Sequence, residues 1–104
     1  MRRAARVDAN HSEIKSALER IGCYVVDCAH VGQGFPDLVI AWRGRWLFLE
    51  IKDGAKPKSR QKLTGAQTIF HAEAAAKNCK VHVVTSVDDA IAAVQGETLG
   101  RVNA

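Results

Sequence analysis

Long hydrophobic runs are missing from this chain of 104 residues. No stretch is apolar over the roughly 20 residues that a helix needs to cross a bilayer. The opening Met-Arg-Arg-Ala-Ala-Arg also lacks the hydrophobic segment of a secretory signal. The sequence therefore predicts a protein without membrane spans or an export signal, and we expect it in the cytoplasm.

Cysteine is scarce, and its spacing suits neither a disulfide framework nor a zinc site. The chain has 3 cysteines, Cys23, Cys28 and Cys79, without a C-x-x-C pair. Cys28 and His30 are close in sequence, but a single pair lacks the two further ligands of a structural zinc site. We expect reduced thiols that behave as small apolar side chains.

Length and composition give no sign of a second domain or of an internal repeat. A chain of 104 residues suffices for one domain with a modest core. We predict a single domain over 1–104, with a basic arm at 1–7 and a tail at 96–104 that are both expected to be mobile. The formal charge of +4 and the pI near 9.2 favour a polyanionic partner.

Hydrophobic periodicity predicts a mixed α/β domain. A helix begins at Asn10, and Gly22 is placed to end it. A strand follows at 23–29, then a hairpin, and a second helix covers 64–78. A strand at 80–85 and a last helix complete the order α-β-β-β-α-β-α. Because a helix connects the last two strands, we expect them to be parallel within a mixed sheet flanked by helices.

The hairpin brings two acidic residues together if its turn has an even length. Apolar runs at 38–42 and 46–49 flank the sequence Arg43-Gly44-Arg45. If the first two of these residues form the turn, with the glycine at positive φ, the register places Asp37 opposite Glu50. A three-residue turn would instead put the two acids on opposite faces of the hairpin.

Opposed acids beside a lysine indicate metal-assisted chemistry. Directly opposed Cβ atoms lie about 4.5 to 5.5 Å apart, so two carboxylates there repel unless a cation or a proton lies between them. Strand alternation puts Lys52 on the face of Glu50 and turns Ile51 towards the core. Two carboxylates can hold a divalent cation against a phosphate while an ammonium steadies the attacking water. A solvated charge cluster is the alternative.

These residues belong to an ordered set that resembles a known nuclease family. The set comprises Glu13 on the first helix, Gly34-x-Pro36-Asp37, Glu50-x-Lys52 and Thr64-x-x-Gln67. It resembles the PD-(D/E)xK superfamily and, within it, the virus-type replication-repair nuclease (VRR-NUC) domain. The resemblance covers most of the chain and implies the restriction-endonuclease-like fold.

The resemblance also implies roles for individual residues. Asp37 and Glu50 would bind Mg²⁺ or Mn²⁺, with the backbone carbonyl of Ile51 as a further ligand and Glu13 in support. Lys52 would orient or activate the water, and Gln67 would stand near the site. The implied activity is endonucleolytic hydrolysis of DNA to a 5′-phosphate and a 3′-hydroxyl. Branched DNA such as a Holliday junction or a flap, met in replication, recombination or repair, would be the substrate of a homodimer.

Two of these residues have a competing explanation in local helix chemistry. Asn10 and Glu13 have the spacing of a capping box, which would make this carboxylate structural. Thr64 and Gln67 have the same spacing, so the glutamine satisfies the helix end, contacts the site, or does both.

Basic and polar residues flanking the site are candidates for DNA contact. A cationic segment expected to form a mobile loop contains Lys56, Lys58, Arg60 and Lys62, and Gln33 and His30 lie in the loop before Asp37. A solubilising surface loop is the alternative for the cationic segment. Trp42 and Trp46 near the hairpin tip either form a dimer surface or pack inside the domain.

Two other functions share part of this pattern. A non-catalytic DNA-binding module would have the basic residues but would not need Asp37, Glu50 and Lys52 together. A sequence-specific restriction-type nuclease would keep these three residues and differ in its recognition elements.

Overall fold

The computed structural model describes the backbone of residues 8–103 and the side chains of residues 8–96. The elements are α1 (His11–Arg20), β1 (Tyr24–Asp27), β2 (Leu38–Trp42), β3 (Arg45–Ile51), a 3₁₀ turn (Lys58–Arg60), α2 (Gly65–Ala76), β4 (Val81–Val84) and α3 (Val87–Asn103). The predicted mixed α/β class is confirmed. The basic arm predicted for 1–7 lies outside the described residues. In the described part of the chain, no helix combines the length and the apolar character needed to cross a membrane.

The strands described here form one mixed sheet in the order β1-β2-β3-β4. The pairs β1-β2 and β2-β3 are antiparallel, whereas β3-β4 is parallel. The parallel pair agrees with the prediction, because α2 connects the two strands. β3 is therefore an interior strand, with β2 on one side and β4 on the other.

The hairpin between β2 and β3 has the two-residue turn that the sequence predicts. Trp42 pairs with Arg45, which leaves Arg43 and Gly44 as the turn. Their φ angles are 47° and 83°, so both are positive, as in the turn type that suits the twist of a hairpin. A positive φ is unfavourable for an arginine. The Arg43 guanidinium lies 4.8 Å from the centre of the Trp42 ring, and this cation–π contact offsets part of that cost.

The core lies between one face of the sheet and the helices α1 and α3. Alternate residues of β3 point towards it, because successive side chains of a strand leave on opposite faces. Its main members are aliphatic side chains from the sheet and from both helices: Ile14, Leu18, Leu38, Ile40, Leu47, Leu49, Ile51, Val84 and Val94. This packing fixes which residues of β3 face the other side.

The other face of the sheet is covered by α2 only at one end. Phe35 stacks edge to face on Phe48 of β3 and on Phe70 of α2, with centroid distances of 6.2 and 5.4 Å. At the opposite end Tyr24 is 65% exposed and Trp46 is 60% exposed. The sequence analysis allowed both tryptophans either a dimer surface or packing inside the domain. In the structure Trp42 packs against the core, whereas Trp46 is exposed.

Two predicted boundaries are wrong. Helix α3 continues to Asn103, where a tail without structure was expected from residue 96. Once a helix is formed, each added residue contributes one hydrogen bond, and this outweighs the cost of about 1 kcal/mol for a glycine in its interior. The cationic segment is also not a plain loop, because Arg60 N–H donates to the Pro57 carbonyl at 2.8 Å and closes a 3₁₀ turn.

Candidate active site

Asp37 and Glu50 lie where the hairpin register places them. Leu38 pairs with Leu49 at the end of the ladder, so the two acids are the next opposed positions. Asp37 Oδ2 accepts a hydrogen bond of 2.7 Å from the Ile51 amide. The backbone carbonyl of Asp37 accepts another, of 2.8 Å, from the Cys28 amide just beyond β1. Asp37 is thus held by backbone groups from the strands on both sides.

Glu50 is buried beside this carboxyl group. Only 1% of its surface is exposed. Burial raises the pKa of Glu50, and the Asp37 carboxyl raises it further through a hydrogen bond and through its charge. The charge of Lys52 lowers the pKa of Glu50, and the charge of Asp8 raises it. The resulting pKa is about 8, against an ordinary value of 4.5. At neutral pH Glu50 therefore keeps its proton beside the Asp37 carboxyl group.

Gln67 connects the acid to the lysine. Its Nε2 donates to Glu50 Oε2 at 2.8 Å, and its Oε1 accepts from Lys52 Nζ at 2.8 Å. The same residue closes a capping box, because its amide donates to Thr64 Oγ1 and its Oε1 accepts from the Thr64 amide. The sequence left the cap and the site contact as alternatives, and the structure shows both.

Gly34 brings the start of α2 against the loop that carries Asp37. Its φ is 82°, and a Cβ atom there would overlap the Ala66 carbonyl group. For Gly34 the backbone that comes close is that of α2, so this glycine positions Gln67. Gly32, by comparison, has nothing within 4 Å of where its Cβ would lie.

Lys52 and Ile51 complete the set that the sequence brings to this end of β3. Lys52 is only 8% exposed, and its ammonium is held by Gln67 as described. The Ile51 amide points at Asp37. Because the N–H and C=O of one strand residue leave on the same side of the strand, the Ile51 carbonyl is directed to the side of Asp37.

His71 is a site residue that the sequence analysis missed. Its Nε2 lies 3.4 Å from Glu50 Oε1, and its side chain is 16% exposed. Burial and the Lys52 charge lower the pKa of His71, which favours a neutral ring. The spacing of Gln67 and His71 was the available signal, since residues four apart on a helix share a face.

Asn10 and Asp8 also reach the site without having been predicted there. The Asn10 amide does not cap α1 but donates to the backbone carbonyls of Lys52 and Thr85, at 3.2 and 3.0 Å. This contact ties the chain before α1 to the ends of β3 and β4. Asp8 consequently lies close enough to raise the pKa of Glu50, and it accepts a bond of 3.5 Å from Lys56.

Glu13, to which the resemblance gives a supporting role at the metal site, does not point inwards. Its side chain is exposed, whereas His11 and Ile14 form part of the buried face of α1. One residue corresponds to about 100° around a helix, so a position next to the apolar face points into solvent. The capping box with Asn10 does not form either, because the Asn10 side chain is bonded elsewhere.

The candidate DNA-binding residues are all accessible. Lys56, Lys58, Arg60, Lys62 and Gln33 are exposed. Lys56 is connected to the site through its ion pair with Asp8, at 3.5 Å. Their binding to DNA stays a prediction, since exposure allows contact but does not require it.

The donor set at this site is small. Within the described residues, no group of three or more His, Cys, Asp and Glu side chains is arranged to hold a metal ion. Asp37 and Glu50 supply two carboxyl groups. Mg²⁺ usually takes one or two carboxylates and completes its shell with water and substrate phosphate, so this pair suits Mg²⁺ better than a structural metal.

Comparison with known proteins leaves the chemistry of this site as the main guide to function. Neither the models of protein families nor the curated proteins give a match to this sequence. The resemblance to the VRR-NUC domain accordingly stands on the motif residues themselves.

Proposed function

We propose that this protein is a metal-dependent endonuclease that hydrolyses DNA phosphodiester bonds. The observation that carries the proposal is the opposed pair Asp37 and Glu50. Two carboxyl groups in contact, one of them fully buried, cost stability unless a proton or a cation lies between them. A divalent cation would turn this cost into a binding site.

The ion would be held by Asp37, Glu50 and the backbone carbonyl of Ile51. When bound, Mg²⁺ or Mn²⁺ supplies the positive charge that polarises a phosphoryl oxygen and makes water a better nucleophile. Glu50 would have to release its proton for such an ion to bind, because a carboxyl group must be ionised to act as a ligand. The exposed Glu13 is left out of this ligand set.

Lys52 would position the attacking water. An ammonium has three donors, and only one is needed for the bond to Gln67 Oε1. The others would hold the water or the charge that develops on the phosphate, in line with the leaving oxygen. As in the family that the chain resembles, the products would be a 5′-phosphate and a 3′-hydroxyl.

The DNA would be bound through its phosphates and recognised by its shape. Lys56, Lys58, Arg60 and Lys62 follow Lys52 in the chain and are exposed. They would contact the DNA backbone, and Gln33 would do so from the loop before Asp37. So small a domain has little surface for reading a long sequence, which favours branched DNA such as a junction or a flap. A homodimer would present two such sites to two strands.

Cleavage assays with defined DNA structures test the proposal. We expect the wild-type protein with Mg²⁺ or Mn²⁺ to cut flap or four-way DNA, and Asp37→Ala and Lys52→Ala to lose at least about 100-fold in rate. Asp88→Asn, an exposed change on α3, serves as a control with unchanged rate. Binding without any cleavage would favour a non-catalytic DNA-binding module. Cutting of linear duplex at one defined sequence would favour a restriction-type nuclease.

A matched pair of variants separates the two roles of Gln67. Thr64→Ala removes the cap hydroxyl but leaves the bonds from Gln67 to Glu50 and Lys52. We expect both Thr64→Ala and Gln67→Ala to lose about 1 kcal/mol of stability. Only Gln67→Ala should also lose about 10- to 100-fold in Mg²⁺ affinity, measured by calorimetry, as is usual when a residue that orients a metal ligand is removed. Equal Mg²⁺ affinities in the two variants would limit Gln67 to the cap.

A further inference from the structure

The strand β1 lies at an open edge of the sheet. It pairs with β2 on one side, and in the described part of the chain no strand lies on its other side. An open edge presents unpaired N–H and C=O groups to which another strand can bond. The direction of these backbone groups along β1 determines where a second strand fits.

The backbone groups of Val25 and Asp27 point away from β2. In an antiparallel pair, residues that exchange hydrogen bonds with the neighbouring strand alternate with residues whose N–H and C=O point outwards. The Cys28 amide bonds to the Asp37 carbonyl directly after the pair of Asp27 with Leu38. This bond places Asp27 and, two residues earlier, Val25 among the residues with outward groups. Among the described residues, neither has a main-chain hydrogen bond on that side.

This edge lacks the features that usually protect an edge strand. Lysine, proline and outward charges commonly do so in soluble proteins. β1 has the sequence Tyr-Val-Val-Asp, in which the first three residues favour extended backbone. The Asp27 carboxylate is directed to α1, where it bonds to His11 and lies 3.6 Å from Lys15. The opposite edge of the sheet, β4, by comparison follows Lys80 and carries His82.

We infer that β1 is the dimer surface of this protein and pairs in antiparallel direction with β1 of a second copy, so that the two sheets form one. Val25 of each chain would exchange a pair of hydrogen bonds with Asp27 of the other. Val26 would lie opposite Val26 of the second copy, on the two-fold axis. The contact is self-complementary, as a symmetric dimer requires.

Only this register satisfies the outward groups of both residues. A shift by one residue would set outward groups against residues that already bond to β2. A shift by two in one direction would oppose the Asp27 side chains of the two copies, which carry like charges. A shift by two in the other direction would require Cys23, whose amide already donates to the Leu18 carbonyl.

The pairing would also cover Tyr24. This residue is 65% exposed, and Val26 projects from the same face of β1. Tyr24 would lie opposite Cys28 of the second copy and diagonal to its Val26, within reach of an aromatic ring. The interface is small, so we expect a dissociation constant on the order of micromolar rather than a permanent dimer.

A dimer of this kind would place both proposed active sites on one side of the joined sheet. Opposed residues of paired strands share a face, so both copies turn Glu50 and Lys52 in the same direction. The Asp37 residues of the two copies would lie roughly 20 Å apart, from three strand spacings across the sheet and four residues along it. The pairing rests on the strand geometry, and only this consequence rests on the proposed nuclease function.

Charged substitutions at Val26 test the register without altering the backbone. Sedimentation equilibrium of the wild type should show a concentration-dependent dimer between about 1 and 500 µM. We expect Val26→Lys and Val26→Glu each to weaken dimerisation at least about tenfold, because a charge then faces itself across the axis. An equimolar mixture of the two variants should restore the dimer, since opposite charges then face each other. Val26→Thr is the uncharged control and should stay within about fivefold of the wild type.

Proline substitutions on the two edges test the backbone bonds. Val25→Pro removes an outward N–H and leaves the bonds to β2 in place, so it should abolish the dimer. Val83→Pro is the matched control. The Lys52 amide bonds to the Val84 carbonyl, so the Val83 N–H is directed away from β3, at the other edge. This variant should dimerise like the wild type, and circular dichroism with thermal unfolding checks that both variants fold.

The dimer and the nuclease function can fail separately. A wild type that stays monomeric over this range would overturn the pairing, even if it cuts branched DNA. A dimer that survives Val25→Pro but is lost in Val83→Pro would overturn it too, and so would a mixture of the charged variants that stays monomeric. A dimer that responds to the substitutions as expected but cuts no DNA would support the pairing and remove the nuclease function.

Discussion

Replacing Glu50 by glutamine is expected to stabilise the protein while abolishing the nuclease activity that we propose for it. In the folded chain Glu50 is buried against Asp37, and its pKa is about 8. Folding at neutral pH must therefore bind a proton to a carboxyl group that is ionised in the unfolded chain. Glutamine avoids this cost, and its amide can bond with Asp37. We expect a gain on the order of 1 to 3 kcal/mol in the free energy of unfolding.

The same change removes one of the two side-chain ligands of the proposed ion. Cleavage of branched DNA in Mg²⁺ should fall by at least about 1,000-fold, because the remaining carboxylate holds the ion and the phosphate poorly. Thermal unfolding in a chelator gives the stability and the nuclease assay gives the activity. Asp88→Asn again serves as the control, with unchanged activity and a loss of less than about 1 kcal/mol of stability, because its charge lies in the first turn of α3. A less stable Glu50→Gln would mean that the ionised carboxylate stabilises the fold, and the pair would then have a structural role.

The geometry of the acids was predictable because one short turn determines it. Arg43 and Gly44 leave an even-length loop, and every pair after it follows from the register. The opposed positions of Asp37 and Glu50, the inward turn of Ile51 and the shared face of Lys52 all follow by alternation. Local sequence is sufficient where a single hydrogen-bonding pattern propagates from one fixed point.

The contacts that join separate elements could not be predicted in this way. Asn10 bonds to carbonyls that lie 42 and 75 residues further along the chain. Nothing in its local sequence distinguishes this role from an ordinary helix cap. Asp8 comes to Glu50 only as a consequence of that contact, and His71 only because α2 packs with one particular face towards β3. These contacts depend on the tertiary packing of whole elements.

The direction of the Glu13 side chain could not be predicted for a different reason. A residue beside the apolar stripe of a helix is inward or outward depending on a rotation of the helix that the periodicity does not define. In α1 the packing of Ile14 and Leu18 sets this rotation and leaves Glu13 in solvent. The family resemblance favoured the inward position. The strand positions were correct because a strand has only two faces, whereas a helix allows intermediate directions.

The stability of the metal-free protein is expected to fall as the pH rises from about 4.5 to about 8. Within this window the folded chain keeps the Glu50 proton while the unfolded chain has lost it. Stability must then decrease with pH, since the folded state binds more protons. The stabilisation that comes from Glu50 is complete below its pKa in the unfolded chain. It is lost as the pH rises through its pKa in the folded chain.

Other groups respond differently and have to be separated from Glu50. The lowered pKa of His71 works in the opposite direction, because protonation of the ring at acid pH disfavours the folded state. Asp27 and Asp89 have lowered pKa values and contribute only at more acid pH, where their stabilisation is lost. The difference between wild type and Glu50→Gln at each pH cancels the contributions of Asp27 and Asp89. It leaves that of Glu50 together with its coupling to His71, which is in contact with it.

Divalent metal should reverse this dependence in the wild type alone. At saturating Mg²⁺ the proposed ion would take the place of the proton between Asp37 and Glu50, so its binding would grow tighter as the pH rises and would stabilise the folded state. Denaturant unfolding at several pH values, with Mg²⁺ and with a chelator, measures both effects. In chelator the free energy of unfolding of the wild type should fall as the pH rises, and in Mg²⁺ it should stay level or rise. For Glu50→Gln its pH dependence should be the same under both conditions. Parallel curves for wild type and variant in chelator would show that Glu50 titrates near its ordinary pKa. Glu50 would then carry no proton at neutral pH for a metal ion to replace.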